Sequence, residues 1–188
     1  MRSIIAIFLI LFLGGCGVKV TTLSDQRTDF KQYKTFCWMK GCEFVYSGPS
    51  YLMTPEAKAI FQKSIIEEMA TKGIRYDSEN PDLLIDLHVT MESEKVETYH
   101  REMMDSESNR FYRFYDRNQP IEIDLLKGTL VLDMADRKES KMVWRSVAGS
   151  YLDIHPELTD VNIRKGVHKA LEKFPPKQKK PETNVTNQ

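Results

Sequence analysis

The stretch Asn80-Pro81-Asp82-Leu83-Leu84-Ile85-Asp86-Leu87-His88-Val89-Thr90-Met91-Glu92 decides the fold. Leu83, Ile85, Leu87, Val89 and Met91 alternate with Leu84, Asp86, His88, Thr90 and Glu92. A period of two is the signature of a strand with one buried face and one wetter face. Asn80-Pro81 punctuates its start. A sheet patterned this way needs an apolar layer over one side, and the rest of the chain supplies it.

Downstream, the segment from about Ile121 to Asp136 places Leu130, Leu132 and Met134 on one side. A polar turn follows from Arg137 to Ser140, and Met142-Val143-Trp144-Arg145 starts a return strand that reaches about Leu152. Two strands with a short turn between them predict an antiparallel hairpin. Upstream, Val18, Val20 and Thr22 alternate with Lys19 and Thr21 as a short strand, and Tyr33, Thr35, Phe36 and Trp38 give a second. Gly41 and Ser47-Gly48-Pro49-Ser50 mark turns.

Two helices provide the covering layer. Thr54-Pro55-Glu56 reads as a cap, a proline at the first helical position and an acid in the first turn. Ala57, Phe61, Ile65 and Met69 then share one stripe, widened by Ile60, Ile66 and Ala70, and Lys72-Gly73 fits the end. The second helix starts at Thr159 or Asp160 and carries Ile163, Val167, Ala170, Leu171 and Phe174 on one face. Gly166 inside it costs about 1 kcal/mol against alanine, which points to close packing at that position. Pro175-Pro176 ends it. These patterns predict an α+β domain, an antiparallel sheet with two amphipathic helices packed on one face. Residues 177–188 are polar and read as a disordered tail.

The N-terminus fixes the expected location. Arg2 precedes an unbroken apolar run from Ile4 to Leu13, the length of a signal-peptide core and too short to span a bilayer. Leu13-Gly14-Gly15-Cys16 resembles the bacterial lipobox, in which the cysteine receives the lipid. The expected division is a signal peptide over 1–15, a single lipid-anchored domain over 16–176 and the tail. Membrane contact then runs through the acylated Cys16, since more than one acyl chain gives stable anchoring. Gly17, where an inner-membrane lipoprotein of enteric type carries Asp, resembles outer-membrane sorting. The expected location is the bacterial cell envelope, on the outer membrane facing the periplasm.

Composition agrees with one ordinary core. The chain has 188 residues, 27 basic and 27 acidic, which lacks the basic excess of a nucleic-acid binder. With Cys16 consumed, Cys37 and Cys42 remain, five apart in an oxidising compartment. They either clip the intervening turn as a disulfide, worth roughly 2 kcal/mol, or stay as two reduced thiols.

The chain also resembles a family of bacterial lipoproteins defined by a single domain of unknown function. The residues that carry the likeness are Asp29-Phe30 with Tyr33-Lys34-Thr35-Phe36 and Trp38; Lys72-Gly73 before Pro81-Asp82-Leu83-Leu84; Gly128-Thr129-Leu130 with Asp133; Val143-Trp144-Arg145; and Lys173-Phe174-Pro175-Pro176. The resemblance implies an envelope-anchored α+β module and carries no catalytic residues with it. Cys37, Cys42 and the charged 92–119 segment depart from the family pattern.

No motif supplies a catalytic set, a metal site or a cofactor. His88, His100, His155 and His168 are scattered, and His100 with Met103 and Met104 is too sparse for a copper site. Asp86, Glu92, Asp124 and Asp133 are strand carboxylates of the kind common on exposed faces. Phe111-Tyr112-Arg113-Phe114-Tyr115 alternates aromatics with arginine and is the expected contact surface for an envelope protein partner. The expectation is a non-catalytic binding module. Its alternative is a small-ligand or metal-binding periplasmic domain, with a hydrolase behind that, and the oligomeric state is open.

Overall fold

The computed structural model describes residues 18–40, 44–98, 121–152 and 157–177. It contains strands β1 (Lys19–Ser24), β2 (Thr35–Trp38), β3 (Val45–Ser47), β4 (Arg75–Tyr76), β5 (Leu83–Thr98), β6 (Ile121–Asp136) and β7 (Lys141–Leu152), with helices α1 (Pro55–Thr71) and α2 (Asp160–Leu171). The strands form one sheet in the order β1-β7-β6-β5-β2-β4, and β3 joins β5 beyond β2. The α+β class and the two covering helices hold. The sheet is mixed, however: β5, β6, β7 and β1 are antiparallel, while β2 runs parallel to β4 and β5, and β3 parallel to β5. The reason lies in α1. Its 17 residues cover about 26 Å and carry the chain back to the end of the sheet from which β2 started. β4 and β5 after α1 therefore run in the same direction as β2 and β3 before it, which is the crossover that parallel pairing requires.

The junction between β2 and β5 is fixed by side chains. The Asp82 carboxylate accepts from the backbone N–H of Lys34 (2.8 Å) and Thr35 (3.1 Å), and the Asp82 N–H donates to Thr35 Oγ1 (2.9 Å). The N–H bonds at Lys34 hold the Asp82 carboxyl below its ordinary range, against the opposing pull of burial.

The inward face of β5 is as the alternation requires. Leu83, Ile85 and Leu87 are fully buried, with Leu132 and Met134 of β6 beside them. A register shift between Met134 and Ala135 of β6 leaves Val143 of β7 without a partner on β6, as in a β-bulge. Val143 and Trp144 are consequently both buried, where strict alternation would expose one. Thr54 caps α1 through the Ala57 N–H, and Thr159 caps α2 through the Asn162 N–H. Gly73 ends α1 at φ +79°, in the left-handed region that favours glycine.

Two details of the helices depart from the sequence pattern. Ser64 is buried within the apolar stripe of α1, its hydroxyl donating to the Ile60 carbonyl at 2.6 Å, whereas Ala70 is exposed. Gly166 is not explained by close packing: a Cβ built there meets no heavy atom within 4 Å. The helices are tied to one another through Arg164 with Glu67 and through His168 Nδ1 to Glu68 Oε1 at 2.9 Å. The buried Ser146 hydroxyl donates to the Ala170 carbonyl at 2.7 Å and joins β7 to α2.

Candidate functional site

The layer of helices is shorter than the sheet it covers. β5 and β6 have 16 residues each, or about 53 Å of strand, whereas α2 has 12 residues, or about 18 Å of helix. The hairpin therefore projects past the helices, and a cleft of about 750 Å³ opens where the cover ends. Its floor is the inward face of the sheet: Val89 and Met91 of β5, Gly128 and Leu130 of β6, Ala148 and Leu152 of β7. Ile163 and Gly166 of α2 form one wall and Phe61 of α1 contributes deeper in. Val18, just before β1, also lines the cleft. The polar lining residues include Glu157, Asn162, Lys165 and Lys169.

Two glycines shape this space in opposite ways. At Gly128 a Cβ would meet Leu152 Cδ1 at 3.1 Å and Met91 Sδ at 3.2 Å, so the floor is tight there. At Gly166 a Cβ would meet nothing, so the wall is open. Lys169 reaches Glu172 at 3.0 Å, while Lys165 has no carboxylate within ion-pair distance among the described residues.

A second cleft, of about 450 Å³, lies at the end of the sheet where β1 gives way to the Phe30–Gln32 turn. Phe30, Tyr33, Ile74, Pro175 and Pro176 line it together with Lys31, Lys34 and Lys72. Blocks remote in sequence, those around Phe30, Tyr33-Lys34, Lys72 and Pro175-Pro176, thus meet at one place. Below them the aromatic rings stack edge to face, Phe30 with Tyr33 at 6.1 Å and with Phe174 at 5.8 Å. Three ammonium groups with no carboxylate in the lining give this cleft a positive rim, which attracts anions.

The ionisable groups of the uncovered sheet face are tied up elsewhere. Asp133 takes Arg145 bidentately, at 2.5 Å from Nε and 2.6 Å from the terminal nitrogen, and the pairing raises the Arg145 guanidinium above its ordinary value. Asp86 lies opposite Asp133 on the neighbouring strand and contacts His88 Nε2 at 3.0 Å through one oxygen. Its other oxygen is buried without a partner among the described residues. Glu94 meets both Lys127 and the Tyr151 hydroxyl at 3.2 Å. Glu92 and Asp124 are exposed, so the four strand carboxylates do not converge on one site. Among the described residues no three His, Cys, Asp or Glu side chains group as a metal site. No described helix is long and apolar enough to cross a membrane.

Most residues singled out from sequence fall outside the described set: Cys16, Cys42, the histidines at 100 and 155, and Phe111, Tyr112, Arg113, Phe114 and Tyr115. Cys37 is described. It is half-buried, with its Sγ 3.9 Å from the Tyr76 hydroxyl. The large cleft was missed by pattern reading, although two signals point to it. One is Gly128 inside a strand, which marks close approach of another group. The other is the mismatch between strand and helix lengths, legible by counting.

No curated protein matches the chain. A crystal structure of a PDZ domain protein from Parabacteroides distasonis ATCC 8503 matches with a TM-score of 0.50 at 20% identity, over 87% of this chain and 36% of that one. This chain therefore spans about a third of that protein, and the likeness bears on the fold alone. A PelC dodecamer from Paraburkholderia phytofirmans matches with a TM-score of 0.46 at 12% identity, over 82% of this chain and 96% of that one. A family profile covers residues 20–176, nearly the whole α+β domain, and by that match the chain belongs to the family described as a domain of unknown function, DUF4136.

Proposed function

We propose that this protein is an envelope lipoprotein that works by binding, held at the outer membrane through an acylated Cys16 and facing the periplasm. The observation that carries the binding reading is the 750 Å³ cleft, within the roughly 300–1,000 Å³ of ligand sites. Its lining is mostly apolar, with two lysines at the polar edge, while Asp133, Asp86 and Glu68 contact Arg145, His88 and His168 outside it. That is the make-up of a receptor rather than of an acid-base centre. The same cleft favours the small-ligand form of the proposal over a module that works through a flat surface alone.

The anchor rests on the lipobox-like Leu13-Gly14-Gly15-Cys16. Cys16→Ser is expected to move the protein from the membrane fraction to the soluble one. A variant that still sediments with membranes after a high-salt wash would rule out the lipid anchor. For protein partners, the proposed contact is Phe111–Tyr115, on the grounds that aromatics and arginine are enriched among interface anchors. The double change Phe111→Ala with Tyr115→Ala is expected to remove an in-cell crosslinked partner. An unchanged crosslinking pattern would show that the contact lies elsewhere.

A further inference from the structure

We infer that the large cleft holds one acyl chain of an anionic membrane amphiphile, with the chain along the sheet floor beside Gly166 and the headgroup charge at Lys165. The inference rests on the lipid-anchored reading for the supply of ligand, and on the cleft itself for the binding.

Three observations select this occupant. The first is the floor. Met91, Leu130, Leu152 and Ile163 present a continuous apolar surface between the sheet and α2, with no carboxylate among them. A hydrocarbon chain gains from such a floor, whereas a sugar or peptide would leave its polar groups unpaired there. The second is the charge at the edge. Lys165 carries no ion-pair partner among the described residues, and Lys169 stands one helical turn further on, bonded to Glu172. Glu157 is the carboxylate among the described lining residues and Lys169 is offset by Glu172, so Lys165 is the cation left at this edge for a carboxylate or phosphate headgroup. The third is position. Val18 lines the cleft, and Cys16 is two residues before it, so the two Cα atoms are separated by at most about 7 Å of chain. With Cys16 acylated, the cleft is held within reach of the bilayer surface, where anionic amphiphiles are concentrated.

Gly166 gives the inference its sharpest handle. Glycine is unfavourable inside a helix, and among the described residues no heavy atom lies within 4 Å of a Cβ built at this one. Its lack of a side chain is accounted for if the space beside it belongs to a ligand. A leucine there enters the cleft without meeting a protein atom at its Cβ.

The test uses the full chain carrying Cys16→Ser, purified without detergent, with 1-palmitoyl lysophosphatidylglycerol below its micellar concentration as the probe. Native mass spectrometry and calorimetric titration are expected to give one amphiphile per chain. Adding Gly166→Leu should weaken binding at least tenfold while the melting temperature stays level or rises. Lys165→Gln, on an exposed position that leaves the packing intact, should weaken the anionic probe more than its zwitterionic phosphocholine counterpart. A parent chain that binds no probe overturns the inference, as does a folded Gly166→Leu variant that binds as well as the parent. An equal effect of Lys165→Gln on both probes removes the headgroup assignment. The anchor is read separately, by fractionation. Probe binding by a chain that stays with membranes despite Cys16→Ser would sink the anchor and keep the cleft. A soluble chain that binds nothing would do the reverse.

Discussion

Trp144→Ala is expected to destabilise the domain by about 4 kcal/mol, a shift of about 2 M in the urea midpoint. Trp144 is 1% exposed and has the largest of the fully buried side chains. Its ring lies 5.0 Å from that of Phe174, which packs on Phe30, which packs on Tyr33. The row joins β7, the segment just after α2 and the turn before β2, so removing its first member opens a cavity that several elements share. Domains of this kind are stable by only about 5–15 kcal/mol, so the loss takes a large part of the total. Trp144→Phe is the informative control. It keeps a ring in place and deletes the indole N–H, which is buried without a partner among the described residues. Loss of packing volume is then partly offset by relief of an unpaired polar group, and a cost of about 1 kcal/mol is expected. Equal costs for the two variants would mean that the aromatic row contributes little beyond this one indole.

Trp144 also marks where the sequence stopped being legible. The alternation in β5 and β6 predicts the buried faces correctly because a strand's period is a local property. The bulge at Val143 breaks that period, and its cause is tertiary: both neighbours must reach the core beside α2. Parallel pairing of β2 was equally hidden, because strand direction depends on where α1 returns the chain and on nothing within Thr35–Trp38 itself. The caps at Thr54 and Thr159 could be read, since a cap is a contact over three residues. Gly166 could be noticed but not understood: sequence shows that a glycine is costly there, and only the open space beside it tells packing from vacancy. The cleft is the product of unequal element lengths, so no single motif announces it. The three lysines of the smaller cleft come from separate blocks that only the fold unites.

Asp136→Asn is expected to cost about 2 kcal/mol at neutral pH, and the cost should shrink in acid. Asp136 is 7% exposed at the end of β6. One carboxylate oxygen accepts the backbone N–H groups of Lys138 (2.7 Å) and Glu139 (2.8 Å), shaping the turn into β7; the other accepts the Tyr33 hydroxyl at 2.8 Å. Burial alone would raise its pKa, but the Glu139 N–H, the Tyr33 hydroxyl and the Lys138 N–H together outweigh it and leave the carboxyl below its ordinary 3.8. The folded state therefore binds this proton less readily than the unfolded chain. The stabilisation from the charge is complete above about pH 3.8 and is lost as pH falls through the lower folded value. Asparagine can still accept the two N–H bonds and face the Tyr33 hydroxyl, so the fold should survive while the charge-assisted part disappears. Melting curves of parent and variant, recorded from neutral pH to about pH 2.5, are expected to converge at the acid end. Some acid sensitivity remains in the variant, because Asp82 is held low by its own N–H bonds across the β2–β5 junction. A gap between parent and variant that stays constant over the whole range would place the loss in the geometry of the turn and remove the charge from the account.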